Sequence, residues 1–161
     1  MKKKNSIVQL AKLKNKFYLK DKKIKKIYKI FKNILFKHIK KESFCIGVSG
    51  GPDSLALAYL SKIYSKEFRT KYRVLIVNHR LRKESTKEAK EVKSILLKQG
   101  ILSKILTWKG KVPKSNIQLE ARQIRHSLLL EECYSLKIKN LILGHQINDF
   151  IENFLIRLFR G

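Results

Sequence analysis

The feature that most constrains the fold is a six-residue loop, Ser49-Gly50-Gly51-Pro52-Asp53-Ser54. An apolar run at residues 44–48 leads into this loop, and a longer apolar run at residues 55–64 leads out of it. The two runs predict a buried strand before the loop and a helix after it. Two adjacent glycines, which have no Cβ, allow left-handed backbone torsions and a close approach of the backbone to an anionic ligand.

The polar residues of this loop predict a site for phosphate groups. The first turn of the following helix has unpaired N–H donors and a partial positive charge, and Ser49 and Ser54 add hydroxyl groups. Phosphates would repel the carboxylate of Asp53 unless a cation such as Mg²⁺ lay between them. The loop therefore favours a nucleotide with its metal ion. The alternative is a tight turn in which these residues only cap a buried helix.

The loop resembles the Ser-Gly-Gly-x-Asp-Ser loop of the ATP-pyrophosphatase (PP-loop) superfamily. That resemblance implies an adenine nucleotide alpha hydrolase-like fold and cleavage of ATP between the α and β phosphates, with residues 49–54 gripping the departing pyrophosphate. The loop has neither the Gly-x-x-x-x-Gly-Lys pattern of common nucleotidases nor the Gly-x-Gly-x-x-Gly pattern of dinucleotide folds.

The chain is strongly basic. It has 161 residues, and 38 Lys and Arg against 12 Asp and Glu give a formal net charge of +26. Such an excess predicts a polyanionic partner, of which nucleic acid is the natural example. The alternative is a coding bias that fills the chain with lysines that are merely solvated. With 43% hydrophobic residues, the chain can bury one good core.

The two cysteines, the lengths of the apolar runs and the N-terminus indicate the cellular compartment. Cys45 and Cys133 lie in apolar surroundings without clustered His, which predicts buried free thiols in a reducing compartment rather than a zinc or iron–sulfur site. No apolar run is long enough to cross a bilayer, and the N-terminus lacks a secretory signal. We expect no membrane partner and a cytoplasmic location, or else the matrix or stroma of a bacterially derived organelle. A monomer and a homodimer are both compatible with the sequence.

Periodicity divides the chain into a basic tail, residues 1–23, and one domain, residues 24–161. Apolar residues three or four apart predict that the domain begins with an amphipathic helix that buries Ile24, Ile27, Tyr28, Phe31, Ile34, Leu35 and Ile39. Three surroundings are open to the lysines of this helix. We rank water first, a nucleic-acid backbone second and a membrane surface last.

Further strands are predicted at residues 72–77, 104–108 and 140–143, with helices between them. The helix after the second strand has a capping box, Ser85 with Glu88, and ends at Gly100. The predicted inward residues of the two internal helices are Ala89, Val92, Ile95 and Leu96, then Ile117, Ala121, Ile124 and Leu128 after a cap at Asn116. A last helix is predicted from Asn148. This order predicts an α/β fold with a mostly parallel sheet and helices on both faces.

Polar clusters follow the first, second and fourth strands at residues 49–54, 78–82 and 144–149. The carboxyl ends of parallel strands meet at one edge of a sheet, so the three clusters should converge. His145 and Asp149 bracket one strand-to-helix turn and could face the same crevice. Arg122 and Arg125, three apart, can present two guanidinium groups to a phosphate. The alternatives are a packed His, a helix cap and a solvated face.

Four segments together resemble the tRNA(Ile)-lysidine synthetase family. They are residues 77–85, with Asn78-His79-Arg80-Leu81-Arg82, residues 116–126, residues 143–152, and the closing Arg157-Leu158-Phe159-Arg160-Gly161. They occur in the order that the family has, and the resemblance covers nearly everything from Cys45 onward. The family usually has Asp-His-Gly-Leu-Arg at residues 78–82 and Tyr at His126.

The resemblance implies an ATP-dependent ligase. ATP would adenylate C2 of the wobble cytidine in the CAU anticodon of tRNA(Ile), and L-lysine would displace AMP to give lysidine. Asp53 and Asp149 are implied as Mg²⁺-linked catalytic carboxylates, and Arg122 and His145 as stabilisers of charge. Family members continue into tRNA-gripping domains beyond the length of this chain. The alternatives are another PP-loop tRNA-modifying enzyme such as a thiolase, or a non-catalytic basic RNA-binding module.

Overall fold

The computed structural model describes residues 21–110 and 116–144. Within these ranges helices and strands alternate in the order α1 (Lys22–Ile39), β1 (Phe44–Val48), α2 (Pro52–Phe68), β2 (Tyr72–Asn78), α3 (Ser85–Lys98), β3 (Ser103–Thr107), α4 (Ile117–Ser135) and β4 (Asn140–Leu143). The predicted α/β fold is confirmed. The third strand begins and ends one residue earlier than predicted, so Trp108 lies outside it. The helix predicted from Asn148 lies outside the described residues.

All four strands are parallel and stand in the order β3-β2-β1-β4. The chain moves outward from β1 through β2 to β3, and then crosses back to the other side of β1. This reversal creates a switch point between β1 and β4, which is where parallel sheets bind ligands. The loop that follows β1 is therefore at the position where a ligand is expected.

Helices cover both faces of the sheet, as predicted. On one face α1, α2 and α3 pack over the side chains of Phe44, Ile46 and Val48, and on the other α4 packs over Cys45. Phe44, Cys45 and Ile46 are each 0% exposed. This burial on both faces explains why β1 reads as a continuous apolar run and not as an alternating one.

Helix α1 is anchored to α2 by polar contacts as well as apolar ones. The Glu67 carboxylate accepts hydrogen bonds from the Tyr28 hydroxyl and, at 2.9 Å, from Lys32 Nζ. The Tyr64 hydroxyl donates to the carbonyl of Lys40 at the end of α1. The helix predicted from Ile24 begins at Lys22, because the side chain of Asp21 caps it.

Several residues predicted to be inward are exposed. Ile27 and Ile34 of α1 are 55% and 57% exposed, while Tyr28, Leu35 and Ile39 are buried. Among the described residues, α1 therefore buries a narrower stripe than its periodicity indicates. Two further predicted inward residues are exposed as well, Ile95 of α3 and Ile117 of α4.

The predicted capping box is wrong. Helix α3 does begin at Ser85, but Glu84 occupies the cap position and makes no side-chain cap. The Ser85 hydroxyl accepts from the backbone N–H of Arg82, and Glu88 pairs with the Arg82 guanidinium at 3.3 Å. Both side chains are thus used by the preceding loop. Asn116 lies at the predicted start of α4, but its side chain does not cap that helix.

The end of α3 is confirmed at Gly100, which has φ +67°. The backbone N–H of Ile101 donates to Leu96 and that of Gly100 donates to Leu97, which is a Schellman motif. The preceding carbonyl, that of Gln99, accepts a hydrogen bond from the buried Lys62 Nζ of α2. Burial, with a smaller effect of Lys66, lowers the pKa of Lys62 to about 8.

This lowered pKa predicts a stability that rises with pH. Between pH 8 and the unfolded pKa of about 10.4, the unfolded chain holds a proton on Lys62 that the folded chain has released. We expect the free energy of unfolding to rise by about 1–2 kcal/mol from pH 7.5 to 9.5 relative to Lys62→Met. Urea unfolding at both pH values measures this difference. An identical pH dependence in the two proteins would contradict the assignment.

Candidate active site

A cavity of about 700 Å³ opens at the carboxyl ends of the strands. Ser49 lines it after β1, His79 after β2, and Gly144 after β4. The predicted convergence of the three clusters is thus seen for these residues. The remainder of the third cluster, including His145 and Asp149, lies outside the described residues. Helices α3 and α4 supply the side walls.

The turn of this loop requires glycine at only one of its two glycine positions. Gly50 has φ +98°, and a Cβ added there would lie 2.6 Å from Val92 Cγ2 of α3. Gly51 has φ −67° and caps α2, and a Cβ there would meet only the Ser49 hydroxyl, at 3.8 Å. Pro52 begins α2, where its fixed φ suits the first helical position.

Ser54 holds the inside of this loop. Its side chain is buried, and its Oγ accepts from the backbone N–H of Ser49 at 3.3 Å and of Gly50 at 3.2 Å. The same hydroxyl donates to the Gly51 carbonyl at 2.9 Å. The amide of Gly50 is therefore directed at Ser54, inside the loop. The hydroxyl instead keeps the loop in shape.

Basic side chains line the cavity. Arg125 of α4 and His79 both line it. The pKa of His79 is lowered by burial and by Arg125, and the pKa of Arg125 is lowered by burial and by Arg122. No described carboxylate pairs with Arg125, and His79 Nδ1 is buried without a hydrogen-bond partner among the described side chains. Such a wall favours an anion.

The predicted site residues are not all in the cavity wall. Asp53 is exposed in the first turn of α2, beside the loop but outside the lining, and Arg122 is also exposed and outside it. The lining side chain of the predicted arginine pair is Arg125. Helical phase does not separate the two arginines, since both fall within the arc spanned by the buried Ile124, Leu129 and Cys133. Among the polar lining residues, Gln118 had not been singled out.

Residues 19–161 match the family model of the PP-loop domain. The chain belongs to the PP-loop domain family. The loop at residues 49–54 is therefore its PP-loop, and the match includes every element from α1 to β4.

Two curated relatives of this PP-loop chain carry the same name. This chain is 44% identical over 116 residues to the tRNA(Ile)-lysidine synthase of Orientia tsutsugamushi, and the match covers 72% of this chain and 26% of that protein. It is 35% identical over 130 residues to the tRNA(Ile)-lysidine synthase of Bradyrhizobium diazoefficiens, covering 79% and 36%. The chain thus spans about a quarter to a third of the length of these relatives.

A solved structure shares the PP-loop fold. The U34-tRNA thiolase NcsA from Methanococcus maripaludis, determined with its 4Fe-4S cluster, superposes with a TM-score of 0.70. The match covers 85% of this chain and 52% of that one at 22% sequence identity, so it supports the fold alone.

Both predicted free thiols are buried on the α4 side of the sheet. Burial raises the pKa of Cys45 to about 12 and also raises that of Cys133. Neither is a thiolate at neutral pH. In residues 21–110 and 116–144 no three His, Cys, Asp or Glu side chains cluster as metal ligands would. No helix in those ranges is both long and apolar enough to cross a membrane.

Substitution by alanine should affect stability very differently at the two PP-loop glycines. Gly50→Ala forces a Cβ into the left-handed region and against Val92, so it should lower the free energy of unfolding by about 1–3 kcal/mol. Gly51→Ala adds its Cβ in open space at an ordinary φ and should change stability by less than about 0.5 kcal/mol. Urea unfolding of both variants measures this. Equal losses would show that the turn does not require glycine at residue 50.

Proposed function

We propose that this PP-loop domain binds ATP and carries out the catalytic steps of an ATP-dependent carbon–nitrogen ligase that modifies tRNA. The substrates are tRNA(Ile) with a CAU anticodon and L-lysine, and the products are lysidine at the wobble position, AMP and diphosphate. The single observation that carries this proposal is the cavity at the switch point, which Ser49 and Ser54 of the PP-loop line together with Arg125 and His79. The names of the relatives support the tRNA substrate. The proposed compartment is the cytoplasm, or the interior of an organelle of bacterial descent.

ATP fits this cavity by charge and by size. A volume of about 700 Å³ lies within the range of small-molecule sites. The N-terminus of α2 would face the phosphates, with the hydroxyl of Ser49 beside it, while the Ser54 hydroxyl donates to the Gly51 carbonyl and holds the loop. Arg125 and His79, which line the same cavity, would meet the same anion. The proposed nucleotide-binding residues remain those of the PP-loop, 49–54.

Asp53 and Asp149 are the proposed holders of Mg²⁺. Carboxylate oxygens are ligands that this ion accepts, and Asp53 lies exposed in the first turn of α2, next to the loop. Its position fits an ion bound at the outer side of the phosphates. When bound, the ion would offset the negative charge of the transferred group. The partner carboxylate, Asp149, stays a prediction from the resemblance.

The proposed reaction has two steps. The O2 atom of the cytidine attacks the α-phosphorus of ATP and pyrophosphate leaves, so the base carries AMP at C2. The neutral amine of lysine then attacks C2, loses a proton, and AMP departs with the oxygen. Cations aimed at the phosphate stabilise the charge that develops, which is the proposed role of Arg122 and His145 and, from its place in the cavity, of Arg125.

A sulfur-transferring PP-loop enzyme is less compatible with this chain. Such chemistry needs a cysteine that reaches the substrate as a thiolate. Cys45 lies in the middle of the sheet at 0% exposure, and Cys133 packs against the same core. Burial raises the pKa of both thiols, so neither is suited to attack a substrate.

The arginine pair provides a test of ATP binding. Arg125→Ala removes a cavity-lining cation that no described acid neutralises, so the Kd for ATP should rise about 10- to 100-fold. Arg122→Ala should raise it by less than about threefold, because Arg122 lies outside the cavity lining and its proposed role is in the reaction, not in ATP binding. Calorimetric titration with Mg-ATP measures both. Equal losses would place the two side chains in equivalent contact with the nucleotide.

The ligase reaction has a direct assay. The chain incubated with Mg-ATP, labelled lysine and tRNA(Ile) bearing a CAU anticodon should transfer label to the tRNA, and only when ATP is present. Asp53→Asn keeps the shape but removes the charge, and should slow incorporation by about 100-fold or more. Release of pyrophosphate without any lysine incorporation would refute the ligase. Retained activity in Asp53→Asn would refute the role of that carboxylate.

A further inference from the structure

Helix α3 separates the cavity from a row of lysines. Ser85, Glu88, Ala89 and Val92 of this helix line the cavity. Lys87 and Lys90 lie on the far side of this helix and Lys93 on its flank, and we term these three exposed lysines, three residues apart, the α3 lysine row. An α-helix is about 10–12 Å across with its side chains, so Lys87 and Lys90 lie roughly one helix diameter from the cavity.

The lysine row is not neutralised within the described protein. The ion pairs formed by the described residues are Lys32 with Glu67, Arg82 with Glu88, and Lys104 with Glu132. None of them includes a member of the row. Glu88, on the cavity side of the same helix, is already taken by Arg82. The exposed Glu91 lies on the same side of α3, so three lysines share that side with one carboxylate and it carries a net positive charge next to the proposed reaction site.

A further exposed cation precedes the row in the chain. Arg80, between β2 and α3, is exposed and has φ +56°, a region in which glycine would be under less strain. The Asn78 side chain supports this turn by accepting the backbone N–H of Arg80 at 3.1 Å and by donating to Thr86 at 3.1 Å. The backbone of Arg80 is thus fixed between the cavity-lining residues His79 and Leu81.

We infer that the α3 lysine row binds the sugar–phosphate backbone of the RNA whose base enters the cavity. This inference rests on the proposed tRNA substrate and adds the surface that the tRNA contacts. A base inside the cavity brings its own backbone to the rim, and the neighbouring nucleotides must run over an adjacent surface. The row, about 9 Å from Lys87 to Lys93, offers long flexible cations to more than one phosphate. Lysine contacts of this kind position RNA without reading its sequence.

The test compares two triple variants of equal charge. Lys87→Gln, Lys90→Gln and Lys93→Gln together remove the row. The matched control removes three exposed lysines of α1, Lys22, Lys25 and Lys29, since no residue of α1 lines the cavity. The Kd for tRNA(Ile) with a CAU anticodon is measured by fluorescence anisotropy between 50 and 200 mM salt.

Removal of the row should weaken binding about 10- to 100-fold at 50 mM salt. It should also reduce the slope of log affinity against log salt by about 2, because each lost phosphate contact contributes about 0.7–0.9. The α1 control should change the slope by less than about 1. Affinity for ATP should be the same in all three proteins, which separates this surface from the nucleotide site.

Three results would overturn the inference. They are equal losses in the two variants, an unchanged slope in the row variant, and no binding of tRNA by the wild-type chain. Normal tRNA binding through the row with no lysine incorporation would instead reject the proposed reaction and leave the RNA surface in place. The two proposals can therefore fail separately.

Discussion

The pairing of β1 with strands on both of its edges is the constraint on which the structure depends. Its backbone bonds to β2 on one side and to β4 on the other, and helices bury its side chains on both faces. A strand in that position cannot shift without breaking two ladders and two cores. The loop at its end therefore has a defined position relative to β4 and α3, and this position creates the cavity.

The treatment of polar groups differs between the scaffold and the site. In the scaffold, Glu67 satisfies Tyr28 and Lys32, and the Ser54 hydroxyl satisfies two amides of the PP-loop. In the cavity, Arg125 lacks a described acidic partner. A half-buried cation that the fold does not neutralise is costly unless a ligand supplies the opposite charge. This contrast is the physical basis for reading the cavity as an anion site.

Local patterns predicted the elements well but their packing less well. The apolar run of β1 and the Gly100 stop were correct, because a buried parallel strand and a left-handed helix end each depend on few neighbouring residues. The capping box failed since Arg82 competes for both Ser85 and Glu88. Periodicity also overestimated how much of α1 is buried, because it reports which residues share a face and not how much of that face another element covers.

The sequence by itself determined the order of the elements, the location of the loop after the first strand and the family to which the loop belongs. The order of the elements and the location of the loop follow from short-range steric and hydrogen-bonding preferences, and the family follows from the likeness of the loop residues to a known motif. Only the tertiary structure decided that Val92 closes the space at Gly50, and that Arg125, with His79, lines the cavity while Arg122 does not. Those contacts join elements far apart in the chain, and they arise from how the helices are rotated on the sheet, which no local pattern specifies.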